Sequence, residues 1–172
     1  MPDDCLQAAT LRARWARRIA ANPAGAISGI IIATAVIATA AEDEPLNAGT
    51  VLWSTAWTVV VFWLAHVYAD VIAERGTDRR PLPTVVGAAM VAEVATLEAP
   101  APSVLILVLG ALHVLGEELA VNLALWAGVV QLGVWGAATA RARGRSWPGT
   151  IGLAASDASF GVLIIALKSV VH

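Results

Sequence analysis

The sequence predicts an all-α fold, a polytopic transmembrane helical bundle of about five spans with one interfacial helix. Three observations carry this. Of 172 residues, 58% are hydrophobic and only 14% charged, and the mean hydropathy is +0.73, outside the range of ordinary soluble domains. The apolar residues fall in runs of roughly 15 to 25, the length that crosses bilayer hydrocarbon as helix. Every basic residue except Lys168 lies in one of three arginine clusters between those runs. At roughly 20 residues per span the chain holds about five or six helices and no separate soluble domain.

Residues 1–23 read as a cytoplasmic basic amphipathic segment and 24–172 as the transmembrane domain. Leu11, Trp15 and Ile19 recur at four-residue spacing with Arg12, Arg14, Arg17 and Arg18 between them, which suits a helix on an anionic membrane surface, ending at Asn22-Pro23. A cleavable signal peptide is the rival reading, with Ala38-Thr39-Ala40 as its small-x-small site. The basic region is long for a signal, so a retained first span over 25–41 is preferred. The single cysteine, Cys5, cannot form an intrachain disulfide and stays unassigned.

The acidic turn Glu42-Asp43-Glu44-Pro45 separates the first span from a second over 49–73, which holds Trp53, Trp57 and Trp63. Arg75, Arg79, Arg80, Pro81 and Pro83 end it. Residues 84–98 are short, interrupted by Glu93 and closed by Glu98-Ala99-Pro100-Ala101-Pro102, and they divide two topologies. If they cross, there are six spans and Arg141, Arg143 and Arg145 fall outside; if they lie at the cytoplasmic interface, there are five and all three arginine clusters fall inside. The five-span topology is preferred, in the cytoplasmic membrane with a cytoplasmic amino terminus. Its remaining spans are 102–116 with Ser103 as cap, 119–140 and 150–170. The third is short, which local thinning or extension through Glu117 would meet.

Polar residues inside apolar runs are the candidates for chemistry, because they face a bundle interior or a hydrated cavity. Thr55, Thr58, His66 and Asp70 form one stripe on the second span; Thr150, Asp157, Gly161 and Lys168 form another on the fifth, with Asp157 near the depth of His66. The candidate polar cavity is therefore His66, Asp70, Asp157 and Thr58, where an imidazole and a carboxylate relay protons or bind a cation; structural hydrogen bonding explains them equally well. His66 with Asp70, and His113 with Glu117, have the i, i+4 spacing of a metal pair, but the pairs are far apart and no metal is expected. Glu93 and Glu98 read as solvated charges. Asn122 and Gln131 lie on opposite faces of the fourth span, so at least one faces protein. Gly25-x-x-x-Gly29 with Ala33, and Gly128 with Gly136 and Ala140, are small-residue seams for helix packing.

No catalytic motif is present and no cofactor is called for, so an enzyme has no positive support. No basic surface with interleaved aromatics suggests nucleic acid. Trp63-Leu64-Ala65-His66-Val67-Tyr68-Ala69, Ala124-Leu125-Trp126-Ala127-Gly128 and Leu167-Lys168-Ser169-Val170-Val171-His172 resemble small, uncharacterised polytopic integral membrane proteins of high-GC actinobacteria. The resemblance covers residues 50–172 and implies a membrane protein without implying an activity. The functional expectation is a small proton- or cation-linked channel or transporter subunit, with a non-transporting scaffold or accessory subunit as the alternative. The expected partners are the lipid bilayer and either further copies of the chain or another membrane protein.

Overall fold

The computed structural model describes residues 22–41, 45–75 and 81–170, with side chains described as far as Ala166. Most of the basic amino-terminal segment, the acidic turn at 42–44, Arg79, Arg80 and the Lys168 side chain lie outside the described residues. The described helices are α1 (Pro23–Ala40), α2 (Ala48–Arg75), α3 (Leu82–Ala92), α4 (Val94–Glu98), α5 (Ala101–Ala111), α6 (Glu117–Ala142) and α7 (Trp147–Val170). Four of them, α1, α2, α6 and α7, are long and apolar enough to cross a membrane, and the bent unit of α3, α4 and α5 brings the total to five if it counts as one span.

Local sequence sets most of the helix ends. Asn22 caps α1, its side-chain oxygen accepting from the Gly25 N–H at 2.9 Å, and Pro23 follows at a position where its missing N–H costs nothing. Asn47 receives the Thr50 N–H at 3.0 Å, and the Glu117 carboxylate accepts from Ala48 at 3.3 Å, placing negative charge at the positive end of α2. Gly144, at φ 68°, closes α6 through the bonds Arg145 N–H to Ala140 O (3.1 Å) and Gly144 N–H to Arg141 O (3.0 Å), a Schellman ending.

The same motif corrects the expected third span. His113 is left-handed at φ 56°, with Val114 N–H donating to Leu109 O (3.0 Å) and His113 N–H to Gly110 O (2.9 Å). The helix therefore stops at Ala111 rather than reaching 116 or passing through Glu117. Ser103 does not cap this helix either: Pro100 occupies the cap position without a side-chain bond, and Ser103 is buried inside the first turn.

Pro100 also explains the bend of 58° between residues 82–98 and α5. It has no N–H for the Thr96 carbonyl four residues back, and its ring crowds that carbonyl. The segment expected at the interface is thus two helices, α3 and α4, meeting at Glu93. The first leans on the end of α2 through Val67, Val71, Val85 and Ala89. The second packs into the bundle: Gly29 of α1 lies so close to Thr96 that a Cβ would collide with its carbonyl oxygen.

Helices α1 and α6 occupy the centre. Ala26, Ile30, Ala99 and Leu132 form the core near the start of α1; Ile37, Ala38, Val51, Leu107, Val121, Ala124 and Leu125 form it near the other end. Gly128 of α6 abuts the Thr34 hydroxyl of α1, and Gly110 of α5 abuts Ala120 of α6. The outward faces carry Trp53, Trp57, Leu64, Ile72, Val130, Val134, Ile151, Phe160 and Leu163.

Gly29→Ala should cost about 1–3 kcal/mol, because a backbone carbonyl cannot move aside as a side-chain end can. Gly87→Ala, where an added Cβ meets open space, should leave stability unchanged or raised through helix propensity. Unfolding in detergent micelles measures both; equal effects would contradict the close approach of α1 and α4.

Candidate functional site

The buried polar side chains among the described residues are Thr34, Thr55, Glu93, Thr96, Ser103 and Thr150. Glu93 is the one ionisable group among them, 5% exposed, where a solvated charge was expected. Its position follows from the helix break: Glu93 ends α3 at φ −88°, ψ 1°, and that turn aims its carboxylate at the start of α1. One carboxylate oxygen accepts from the Asn22 amide and the other from the Thr96 hydroxyl at 3.0 Å. Gly25 leaves the space for this cluster, since a Cβ there would sit 2.8 Å from the Thr96 hydroxyl and 3.0 Å from Glu93. Asn22 both caps α1 through its oxygen and binds Glu93 through its nitrogen, using the two halves of one amide.

Further along the interior, the Gln131 amide of α6 donates to the Ser103 hydroxyl of α5 at 3.2 Å, while its own oxygen is buried without a protein partner. The Thr55 hydroxyl is likewise unpartnered in a fully buried residue. Thr34 satisfies its hydroxyl on the Ile30 carbonyl at 2.8 Å. Buried acceptors without a protein partner are positions where water or an ion completes the bonding. Of the two polar residues on opposite faces of α6, Gln131 is thus the one that meets protein; Asn122 is exposed.

The four expected cavity residues are not brought together. Thr58 is half-buried and returns its hydroxyl to Ser54 O at 2.8 Å. His66 is half-buried, with Nδ1 3.0 Å from Phe62 O and its ring 4.3 Å from the Phe62 ring. Asp70 is half-buried one turn further on. Around these residues the buried positions of α2 are Val59, Val67 and Val71. Asp157 faces α6, its carboxylate against Gly136, and Gly161 of the same stripe packs on Val129 and Leu132. Since α7 packs on α6 and α1, and α2 on α1, α3, α4, α5 and α6, the helices bearing His66 and Asp157 stand on different sides of the centre. His113 and Glu117 are 3.9 Å apart, with His113 80% exposed, and no group of three or more metal-ligating side chains converges among the described residues.

Sequence reading overlooked Glu93, Asn22 and Thr96 as a unit. The available signal was a lone carboxylate inside an apolar stretch, three residues before a threonine. No family model, curated protein or solved structure matches the chain.

Ser103→Ala should cost about 1–3 kcal/mol, because it leaves the Gln131 amide buried and unpaired. Adding Gln131→Leu should restore stability to within about 0.5 kcal/mol of the parent, since both partners are then apolar. Micelle unfolding of the single and double variants checks this; additive losses would show that the two groups do not interact.

Proposed function

We propose that the chain is an integral membrane protein of the cytoplasmic membrane and a subunit of a proton- or cation-linked channel or transporter, with Glu93 as its essential ionisable group. The observation that carries the reading is the burial of that carboxylate between α1 and α4, where its donors among the described residues are the neutral side chains of Asn22 and Thr96. Burying an ionisable group costs free energy that an apolar side chain would avoid, and ionisable groups at such positions mark ion or proton paths.

The interior distribution supports the same reading. Near the start of α1 the polar cluster of Asn22, Glu93 and Thr96 lies beside the apolar core of Ala26, Ile30, Ala99 and Leu132, Gln131 pairs with Ser103 between α6 and α5, and Ile37, Val51, Leu107, Val121 and Leu125 pack at the far end. The outward aliphatic and tryptophan side chains suit lipid. The arginines of residues 12–18, 75–80 and 141–145 share the cytoplasmic side in this proposal, and a protomer this small works as a homo-oligomer or beside a partner membrane protein.

In proteoliposomes, proton and potassium flux measured separately should show one of the two carried by the wild type. Glu93→Gln, which keeps the shape and removes the charge, should lower that flux by about tenfold or more, while His66→Ala and Asp157→Asn retain it. Full flux in a folded Glu93→Gln protein would refute the role of Glu93. Loss in the other two variants alone would return the site to His66 and Asp157. Absence of wild-type flux for both ions would favour a non-transporting scaffold or accessory subunit.

A further inference from the structure

The turn between α6 and α7 concentrates charge in a way the packing of the bundle does not use. Arg141, Arg143 and Arg145 occupy alternate positions of one short segment, and all three are exposed. No acidic residue occurs between Glu118 and Asp157, so the segment carries its own charge uncompensated along the chain. The Schellman ending at Gly144 fixes its backbone, which makes the cluster a shaped surface rather than a random basic tail.

One of the three side chains is held in place by α7. The Arg141 guanidinium lies 4.1 Å from the centre of the Trp147 ring, a cation–π contact that leaves the N–H edges of the guanidinium free. Trp147 is itself 66% exposed. Guanidinium groups recognise phosphate oxygens through paired N–H donors, and a tryptophan beside them fits the boundary between headgroup and acyl chain.

We propose that this turn is a binding site for the headgroup of an anionic phospholipid, with Arg141, Arg143 and Arg145 on the phosphate and Trp147 against the glycerol and upper acyl chain. The site rests on the reading of the chain as membrane-embedded and is independent of the ion path. Exposed arginines at an interface explain a general attraction to negative membranes. The cation–π contact and the fixed turn add a geometry that retains an individual lipid after detergent extraction.

Native mass spectrometry of the full chain in detergent, titrated with dioleoyl phosphatidylglycerol or dioleoyl phosphatidylcholine, tests this. The wild type should retain phosphatidylglycerol in preference to phosphatidylcholine by about tenfold or more, and the variant R141Q/R143Q/R145Q should lose that preference. Arg145→Gln alone should weaken it about fivefold, which decides the matter if the triple variant does not fold. The variant R12Q/R14Q/R17Q/R18Q should keep the preference, and so should Glu93→Gln, which separates lipid binding from a failure of the ion path. Retained preference in both turn variants, or loss in the amino-terminal variant instead, would overturn the site. Complete displacement of lipid by millimolar inorganic phosphate would show a free-anion site and also overturn it.

Discussion

The hydrogen bonds that Asn22 and Thr96 give to Glu93 are the constraint on which the arrangement of this bundle turns. The turn at Glu93 and Pro100 leave α4 a helix of only five residues, too short to be stable alone. What holds α4 in the bundle is contact with α1: the Glu93 carboxylate on Asn22 at one end and the Thr96 backbone against Gly29 a turn later. The carboxylate also orients the residue that caps α1, so the start of one helix and the break in another are a single polar cluster.

From that anchor the remaining geometry follows by close approach. Gly25 and Gly29 admit α4, Gly128 admits Thr34 and Gly110 admits Ala120, so helix backbones come near enough for dispersion and weak C–H to oxygen contacts to act between them. This leaves α1 and α6 at the centre and puts α2 and α7 at the periphery, where large apolar side chains point outward. The interior is mainly Ala, Ile, Leu and Val with a few polar groups, and large apolar side chains also cover much of the surface, unlike a soluble domain.

The all-α class and the long helices were legible because an unbroken apolar run has few alternatives. The expected segments 25–41, 49–73, 119–140 and 150–170 match α1, α2, α6 and α7 to within a few residues. The seam glycines were legible for a similar reason, as small residues at helical spacing have little use except close packing. The bent unit of α3, α4 and α5 was not, because Pro100 and Pro102 read as a boundary when they are a bend, and because a left-handed His113 gives no composition signal. How the candidate cavity residues sit relative to one another was not legible either, for a physical reason. A polar stripe shows which face of a helix is polar but not which neighbour covers it, and the end of α2 is covered by α3 through valines while α7 turns Asp157 toward Gly136. Glu93 was discounted because a charge in a short, proline-flanked segment is usually solvated; only the fold of 93–98 against α1 buries it.

A double-mutant cycle on Asn22 and Glu93 tests the anchoring cluster most directly. Unfolding of the wild type, Asn22→Ala, Glu93→Ala and the double variant in micelles gives the coupling between the two side chains. The account predicts a coupling of about 1–3 kcal/mol, as for a hydrogen bond to a buried charged group. Additivity within about 0.5 kcal/mol would contradict it, because α4 would then be held by something other than this bond.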